Sequence, residues 1–498
     1  MRKILTSRQM RECDHSTIAH GTPSAVLMQR AGNAVYKVLK DNFDLSNVLV
    51  ICGSGNNGGD GFIVALNLKR SFEKCEIWYV GEDHGMTEEC EKRYNECIDE
   101  KITFVDDPII DEYSVVVDAI FGIGLSSSPR GLAKAAIEAV SASDVPVISV
   151  DIPSGICSDT GDNLGTHITA DITVAIQAYK VGHVRSDGIN ASGRVICADI
   201  GIDTSYAIAT DSVIPDSAGA EDLSVIPKRK RDSHKGNFGR VLVIAGSKSM
   251  CGAAYLAAAA AYRAGAGIVE IFTHKENKIP LCTLLPEAIV TTYDESIVSD
   301  SEPLFSALGR ATVVIIGPGI GTDNEAKHLV KSTYEFSNAP IIADADALNV
   351  TAIEKIPFPT EVPVIVTPHP MELSRLTGIG VKELLKNTWS NTVEYAIQND
   401  IICVSKFARS VISDGNAVYV NTSGGPSLAK GGSGDVLTGI IAGMLCSGIS
   451  PIEAAVIGTF VHGRAGDISS FKYGEISPVA RDVIEAIPFA LKNNGGKE

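Results

Sequence analysis

The loop Gly431–Gly434 and the neighbouring Asp435 combine two features suited to chemistry on a phosphate. Small residues at the start of the helix-compatible run Ile440–Cys446 leave backbone N–H groups unpaired, and the helix dipole favours an anion there. A carboxylate repels phosphate, so Asp435 is better suited to handling a proton on a hydroxyl group beside it. The alternative is a glycine-rich helix start that Ser433 or Asp435 caps.

A second loop, Gly53–Gly58, follows an apolar strand and has the spacing GxGxxG. With Glu82 and Asp83 after the next strand, it suggests a dinucleotide-binding dehydrogenase. That fingerprint requires neither paired asparagines nor Asp60, so the loop indicates a polar site that does more than hold pyrophosphate. The alternative is that asparagine and glycine form a turn and Asp60 caps the next helix.

Asn57, Asp118 and Ser154 each follow or end a predicted strand and offer only oxygen ligands. Hard oxygen ligands with one formal charge suit a weakly bound alkali cation better than zinc. The alternatives are that Asp118 caps a helix and that Ser154 is a turn residue after proline.

Polar or glycine-rich turns also follow successive strands in the second half, at Ser249–Ala254, Gly317–Gly321, Asp344–Asn349 and Thr367–Leu373. Gly317–Gly321 would form another anion-binding turn. Small residues around Ala253 serve either tight helix packing or the approach of a ligand. A lone histidine is usually structural, but His369 lies between two prolines that fix its turn.

The elements that position these loops alternate between apolar strands and helices. Residues 1–44 are predicted to be helical, and a helix over Phe62–Phe72 is predicted to follow the Gly53 loop. The predicted strands of the first half are Asn47–Cys52, Cys75–Val80, Ile102–Val105, Val115–Asp118, Val145–Asp151, Ile172–Ile176 and Arg194–Ala198. Those of the second half are Arg240–Ala245, Ile268–Thr273, Val313–Ile316, Pro340–Asp344, Val362–Thr367, Ile401–Ser405 and the hairpin Ser410–Ser413 with Ala417–Val420.

This pattern predicts an α/β protein in which parallel sheets are covered by helices on both faces. Ligands of such sheets bind beyond the carboxyl ends of the strands, where the loops described above lie. A chain of 498 residues exceeds one ordinary core, which predicts at least two domains, and the polar stretch Thr204–Ser224 is the predicted linker.

Composition restricts the partners and the compartment. The net charge of −17 argues against nucleic acid or an anionic membrane, and the short run Lys228–Arg231 is typical of a solvated loop. Eleven cysteines without a CxxC pair predict reduced thiols in a cytoplasmic protein. Neither a secretory signal nor an apolar run of bilayer-spanning length is recognised.

Three motifs in order, Gly55–Gly61, Val117–Gly122 and Val150–Gly155, resemble NAD(P)H-hydrate epimerases over about residues 1–210. The resemblance implies a Rossmann-like domain, K⁺ bound by Asn57, Asp118 and Ser154, and substrate contact by Asp151. The residues implied to line the hydrate site are Asn56, Asn57, Gly58, Gly59, Asp60, Gly122, Ile123, Gly124, Leu125, Ser126, Ser127, Ser128 and Asp151.

The second half, from about residue 225, resembles ribokinase-like ADP-dependent NAD(P)H-hydrate dehydratases through the ordered motifs SHKG, GAA, GPGIG, DADALN, TPHP-x-E and GGSGD. The implied hydrate contacts are Ala253, Gly321, His369 and Asp435. The implied nucleotide-binding residues are Lys406, Phe407, Ala408, Arg409, Ser410, Ser427, Leu428, Ala429, Lys430, Gly431, Gly432, Ser433 and Gly434. One departure is Phe407, which stands where the family pattern has a glycine.

Together these resemblances predict a bifunctional repair enzyme with an epimerase domain at 1–212 and a dehydratase domain at 220–498. Its expected substrates are the hydrates of NADH and NADPH, with ADP as co-substrate, ATP as the alternative, and K⁺ and Mg²⁺ as cofactors. Asp118, Asp151 and Asp435 are the predicted catalytic residues. We also expect a homo-oligomer. The rival hypotheses are a ribokinase-like small-molecule kinase fused to a nucleotide-binding domain, and a non-catalytic nucleotide sensor.

Overall fold

The computed structural model of the chain describes residues 1–81, 85–207 and 214–492. It separates into two compact units, Arg2–Ile214 and Pro215–Glu498, with Met1 grouped with the second. Glu82, Asp83 and residues 208–213 of the predicted linker lie outside the described residues. Within the described ranges, no helix is long and apolar enough to span a bilayer.

The first unit is built on a parallel sheet with the strand order β4-β3-β2-β5-β6-β7-β9, and β1 pairs in parallel with β8. The strands are β1 Arg2–Leu5, β2 Val48–Cys52, β3 Cys75–Tyr79, β4 Thr103–Phe104, β5 Val115–Ala119, β6 Val147–Val150, β7 Ile172–Ile176, β8 Tyr179–Lys180 and β9 Arg194–Ala198. The α-helices are α1 Ser7–Ala19, α2 Ser24–Asn42, α3 Asn56–Arg70, α4 Glu88–Asp99, α5 Gly131–Ser141 and α6 Gly188–Ala191.

The core of this unit lies on both faces of the sheet. Along β2, Val48, Val50 and Cys52 join one hydrophobic cluster, whereas Leu49 and Ile51 join the other. All five side chains are buried, as the period of two along a strand requires when helices cover both faces. The predicted three-layer α/β/α architecture is therefore confirmed for this unit.

Two local predictions in the first unit are wrong. Residues 1–44 are not all helical, because Arg2–Leu5 forms a strand. The helix predicted over Phe62–Phe72 is α3, which begins at Asn56 inside the glycine run and ends at Arg70. Its glycines are poor helix formers, but a Cβ on Gly58 would lie 1.9 Å from the Gly53 carbonyl oxygen. Close packing of the helix start on the preceding loop thus overrides helix propensity.

The second unit has a mixed sheet. Its strands follow the order β13-β12-β11-β14-β15-β16-β17, all parallel, followed by antiparallel β18 and β19, and β10 pairs in parallel with β19. The strands are β10 Asp216–Ser217, β11 Arg240–Ile244, β12 Ile268–His274, β13 Ile289–Tyr293, β14 Val313–Ile316, β15 Ile341–Ala343, β16 Val364–Val366, β17 Ile402–Ser405, β18 Val411–Ser413 and β19 Val418–Val420. The α-helices are α7 Cys251–Arg263, α8 Lys278–Leu284, α9 Glu302–Leu308, α10 Asn324–Phe336, α11 Asp346–Glu354, α12 Pro370–Thr377, α13 Val381–Lys386, α14 Thr388–Asn399, α15 Ser433–Cys446, α16 Pro451–Tyr473 and α17 Ala480–Ala490.

Helices α7 and α15 pack closely because small residues line their contact. A Cβ on Gly439 would lie 2.3 Å from the Ala257 carbonyl oxygen, and one on Gly443 would lie 2.4 Å from the Ala264 Cβ. The predicted hairpin of β18 and β19 is confirmed by the pairing of Ile412 with Tyr419. Strand β13 was not expected, since its residues are only partly buried at the edge of the sheet.

Candidate active sites

The first unit contains a cavity of about 640 Å³ beyond the carboxyl ends of β2, β5 and β6. The predicted site residues that line it are Asn56, Asn57, Asp60, Gly122, Ile123, Gly124, Leu125, Ser126, Ser127 and Asp151. Gly58 and Gly59 face protein instead, since a Cβ on Gly59 would lie 2.6 Å from the Met28 Cε. Ser128 lies beside Gly165, whose Cβ would be 3.3 Å from the Ser128 Oγ. The structure therefore brings the loops after three strands together around one cavity.

Asp151 is held from several sides. It adopts a left-handed backbone conformation with φ of 68°, which is uncommon for a residue other than glycine. Its carboxylate accepts a hydrogen bond from the Ile176 N–H at 3.0 Å and pairs with the ammonium of Lys180. His183 accepts a hydrogen bond from the Lys180 N–H on Nδ1, so its Nε2 carries the proton and donates it to the Asp151 carbonyl oxygen.

Asp60 is also buried at this cavity, in the second turn of α3. Burial raises the pKa of its carboxyl group well above the usual value, and the nearby Asp151 raises it further. The hypothesis that Asp60 caps the helix is wrong, because α3 begins four residues earlier and its cap residue is Gly55. Burial thus shifts Asp60 towards its protonated form, next to the ion pair of Asp151 and Lys180.

Of the three predicted cation ligands, Asp118 and Ser154 are in direct contact, and Asn57 lies against the loop that follows β5. Asp118 is fully buried within β5 and accepts hydrogen bonds from the Ser149 Oγ at 2.8 Å and from the N–H and Oγ of Ser154 at 2.9 and 2.6 Å. The Ser154 Oγ accepts from the Phe121 N–H at 2.9 Å. A Cβ on the next residue, Gly122, would lie 3.1 Å from the Asn57 Oδ1. Asp118 therefore does not cap a helix. Ser154 does lie in the turn after Pro153, as the alternative given for it in the sequence analysis predicted.

These residues have a composition that fits a monovalent cation. Burial raises the pKa of Asp118, and the hydrogen bonds from Ser154 oppose that effect. Within the ranges that the structure describes, the fully buried Asp118 has no ion-pair partner. An alkali cation would supply the missing positive charge to a set of oxygen ligands.

In the second unit, Asp435 lies in the first turn of α15. The helix is capped by Gly432, whose φ of 89° favours glycine, and neither Ser433 nor Asp435 makes a side-chain cap hydrogen bond. The capping alternative is therefore wrong. Burial, with Asp344 as the second cause, raises the pKa of Asp435 to about 7. A carboxyl group with this pKa is suited to accept a proton at neutral pH.

Lys406 lies beside this helix start. Its Nζ donates to the Asp344 Oδ1 at 2.7 Å, and a Cβ on Gly434 would lie 3.3 Å from the same Nζ. Burial lowers the pKa of Lys406, but Asp344 and Glu372 outweigh that effect, so the pKa is raised overall. A permanent positive charge thus lies next to the N–H groups of the glycine-rich loop.

His369 caps α12. Its Nδ1 accepts from the N–H groups of Met371 and Glu372, so Nε2 carries the proton and lies 3.2 Å from the Glu372 carboxylate. Burial lowers the pKa of His369 and raises that of Glu372 to about 7. The Nδ1 atom of His369 therefore has a structural role as a helix cap, and the two flanking prolines help to fix this turn. The predicted contact of His369 with the hydrate stays a prediction.

Of the remaining predicted hydrate contacts, Gly321 lies beyond β14 and Ala253 lies in the first turn of α7. Gly321 donates its N–H to the Asp346 Oδ2 at 2.9 Å, and a Cβ on Gly319 would lie 3.1 Å from the Ala253 Cβ. Between the two acids, Ala345 has a φ of 50°, which indicates a strained backbone. The glycine turn, the start of α7 and the DADALN motif are thus adjacent.

Each predicted nucleotide-binding segment is anchored by a side chain to a neighbouring part of the second unit. Arg409 donates to the Thr422 carbonyl oxygen at 2.8 Å and to that of Gly424 at 3.3 Å. The buried Ser427 Oγ accepts from the Ser470 Oγ at 2.7 Å. Phe407, the departure from the family pattern, packs against a hydrophobic core cluster. The Phe407 side chain therefore contributes to the hydrophobic core. The hydrogen bonds of Arg409 fix the position of the segment that contains both residues.

Two side chains in these sites were missed by the sequence analysis. Lys180 is 1% exposed and pairs with Asp151, which is 29 residues earlier in the chain. Its only signal was a single charge in the apolar run Ile172–Val184. Glu372 was quoted within a motif but assigned no role, although its burial shifts its pKa strongly.

Known proteins match both units. A family model described as NAD(P)H-hydrate dehydratase matches residues 241–488, and one described as YjeF-related protein N-terminus matches 24–182. The bifunctional NAD(P)H-hydrate repair enzyme Nnr of Coxiella burnetii is 34% identical over 489 residues, which cover 97% of this chain and 98% of that relative. The chain belongs to the bifunctional NAD(P)H-hydrate repair enzymes. The member from Escherichia coli is 33% identical and covers 93% of this chain and 88% of its own length.

Solved structures agree for the second unit. An ADP/ATP-dependent NAD(P)H-hydrate dehydratase from Bacillus subtilis, co-crystallised with ATP and Mg²⁺, is 30% identical with a TM-score of 0.50, covering 56% of this chain and 98% of that one. A ribokinase-like superfamily protein from Enterococcus faecalis is 28% identical with a TM-score of 0.51, covering 55% and 95%.

The predicted family and fold classes, Rossmann-like and ribokinase-like, are confirmed. The repair enzyme has an epimerase domain that contains the match at 24–182 and a dehydratase domain that contains the match at 241–488. The small-molecule kinase alternative is not favoured.

Proposed function

We propose that the two sites act in sequence on hydrated NADH and NADPH. Hydration leaves a hydroxyl group on C6 of the nicotinamide ring in R or S configuration, and the product no longer donates hydride. The cavity of the first unit interconverts the epimers, and the Asp435 site of the second unit removes water from the S form. The arrangement that supports this proposal best is the half-buried Asp435, with a pKa of about 7, at a glycine-rich helix start beside Lys406.

In the epimerase cavity, we assign substrate contact to Asn56, Asp60, Asp151 and the loop 122–127. The amide and carboxylate groups offer hydrogen bonds to the ring substituents. K⁺ is assigned to Asn57, Asp118 and Ser154, whose oxygen atoms and single buried charge fit it. When bound there, K⁺ supplies a fixed charge that holds the loops after β5 and β6 together. Hydrogen bonds enclose the Asp118 carboxylate. We therefore assign Asp118 to the binding of K⁺ and give it no direct role in a reaction step on the substrate.

In the dehydratase site, Asp435 accepts the proton of the C6 hydroxyl group as its oxygen attacks the terminal phosphorus of the nucleotide. The nucleotide loses that phosphoryl group, and the ring gains a phosphate ester in place of a poor leaving group. The C6–O bond then breaks with its electron pair going to phosphate, the N1 lone pair forms a double bond to C6, and loss of a C5 proton restores the reduced nicotinamide.

The backbone N–H groups of Gly432 and Gly434 and the ammonium of Lys406 would stabilise the charge on the transferring phosphoryl group. We place the nucleotide between Lys406–Ser410 and Ser427–Gly434, with ADP as co-substrate and ATP as the alternative that the Bacillus dehydratase suggests. No group of three or more His, Cys, Asp or Glu in the described part of the chain is arranged to hold a metal. Mg²⁺ would therefore be held mainly by the nucleotide phosphates.

One experiment tests this function. The purified chain is incubated with a mixture of R and S hydrates and ADP, or ATP, while the absorbance of the reduced nicotinamide is followed. We expect absorbance to return to the level of the full mixture, because epimerisation feeds the S-specific step. Recovery of absorbance limited to the S fraction of the mixture would refute the proposed epimerase function of the first unit. Phosphorylation of the hydrate without recovery would indicate a kinase, and nucleotide binding without turnover would indicate a sensor.

A further inference from the structure

The ion pair of Asp151 and Lys180 has one unused acceptor and one unused donor. Both hydrogen bonds to the carboxylate, from the Ile176 N–H and from the Lys180 Nζ, reach the same oxygen, Oδ1. The Oδ2 accepts no hydrogen bond from any residue in the described ranges. The Lys180 Nζ donates to Oδ1 and, at 2.7 Å, to the Ile176 carbonyl oxygen, which uses two of its three protons. Both side chains line the 640 Å³ cavity.

Lys180 is not needed to fix the backbone of Asp151. The Asp151 N–H donates to the Val174 carbonyl oxygen at 2.9 Å, and the Asp151 carbonyl oxygen accepts from His183. A lysine that is 1% exposed is expensive to bury, and an apolar pair of similar volume would often serve stability as well. A charged pair that lines a ligand cavity and keeps one unused acceptor and one unused donor is instead suited to acid–base catalysis.

We propose that Lys180 is the general acid of the epimerase site and that Asp151 Oδ2 is its base. This inference rests on the proposed epimerase function and adds to it a catalytic residue. Asp151 Oδ2 takes the proton of the C6 hydroxyl group as the C6–O electrons form a carbonyl bond. The C6–N1 bond breaks, its electron pair stays on N1, and a proton of Lys180 is transferred there.

Rotation about the C5–C6 bond then presents the other face of the carbonyl carbon. In the reverse step N1 attacks C6, its proton returns to Lys180, and the carbonyl oxygen takes back the proton from Asp151. A single ion pair on one side of the cavity is sufficient for this route. Loss and return of water at C6 would need an acid–base group on each face of the ring.

The test compares substitutions of Lys180 in the full-length chain. Lys180→Arg keeps the positive charge and the pairing with Asp151, but a guanidinium group does not release a proton near neutral pH. We expect kcat for conversion of R to S hydrate to fall roughly 10²- to 10⁴-fold with KM nearly unchanged. Dehydration of pure S hydrate should be unaffected. The matched control is Lys134→Met, a half-exposed lysine 3.5 Å from Glu138.

A second variant covers the case in which arginine does not fit. Lys180→Ala should be inactive in epimerisation and regain activity in proportion to added methylammonium, whereas no regain would overturn the proposal. Epimerisation by Lys180→Arg within a few fold of wild type would also overturn it and leave Lys180 as a residue that only positions Asp151. Asp151→Asn is measured in parallel, since full activity in that variant would refute the site assigned under the proposed function instead. In H₂¹⁸O, ring opening predicts that the C6 oxygen is retained in each turnover.

Discussion

Replacing Asp435 with Asn separates its catalytic role from any contribution to folding. Burial and the neighbouring Asp344 raise the pKa of Asp435 from 3.8 to about 7. At about 1.4 kcal/mol per pKa unit, this difference corresponds to roughly 4 kcal/mol as an upper value for ionising the folded protein. Because the side chain is partly exposed to solvent, we expect about 2 kcal/mol. Asparagine removes the ionisation, so the variant should be more stable than wild type at pH 8.

The pH dependence has a definite sign. A carboxyl group whose folded pKa is raised binds more protons in the folded state than in the unfolded state. Wild type and Asp435→Asn should therefore be equally stable near pH 3.8. The free energy of unfolding of wild type should then fall relative to that of the variant as pH rises towards 7. Above pH 7 the difference should stay constant. Denaturant unfolding of the second unit, followed by circular dichroism from pH 4.5 to 8, measures this difference.

The activity of the same variant should fall. We expect nucleotide-dependent conversion of S hydrate to decrease roughly 10²- to 10⁴-fold, because the amide accepts no proton. Wild-type dehydration should rise with pH through about 7 as Asp435 ionises. Affinity for ADP, measured by calorimetry, should persist or increase. A less stable variant with nearly normal dehydration would refute the reasoning, since it would show a structural carboxylate that is dispensable for chemistry.

The remaining predictions address the cation, the domains and the helix contact. Asp118→Ala should sharply lower R-to-S conversion whether or not K⁺ is added, while dehydration of S hydrate persists; unchanged epimerisation would show that Asp118 is only structural. Fragments 1–212 and 220–498 should each fold by circular dichroism, and two unfolded fragments would contradict the predicted domains. Gly439→Ala should lower the free energy of unfolding of the second unit by about 1–3 kcal/mol, because its Cβ would meet backbone 2.3 Å away. The control Gly252→Ala, with no atom within 4 Å, should be neutral or stabilising by roughly 0.5–1 kcal/mol.

Strand positions followed largely from local signals. Ile172–Ile176 and Arg194–Ala198 were predicted with their observed limits, because apolar runs bounded by polar turns are typical of buried parallel strands. The start of α3 at Asn56 was missed because helix propensity argues against its three glycines, whereas tertiary packing requires them. Ile289–Tyr293 was missed because a half-exposed edge strand lacks a continuous apolar signal.

The candidate sites divide in the same way. Loops after strands, such as Gly431–Gly434, are visible in the sequence because glycine and polar residues cluster there. Ion pairs between side chains at different strand ends are not visible in the sequence. Examples are the pair of Lys180 with Asp151 and the pair of Lys406 with Asp344. The capping alternatives for Asp60 and Asp435 also failed, because backbone geometry makes Gly55 and Gly432 the cap residues.

The left-handed residues at the strand ends have a consequence for protein engineering. Asp151, Gln177 and Ala345 have φ values of 68°, 65° and 50°, and each follows a strand directly or by one residue. Such positions store of order 1 kcal/mol or more, which glycine would release, so Ala345→Gly should stabilise the fold. Glycine at position 177 would instead remove the side-chain oxygen that accepts from three backbone N–H groups, and glycine at position 151 would leave the 1% exposed Lys180 without its ion-pair partner. Selection for heat resistance should therefore retain the carboxylate of the epimerase cavity, because the loss of its ion pair outweighs the relief of its backbone torsion.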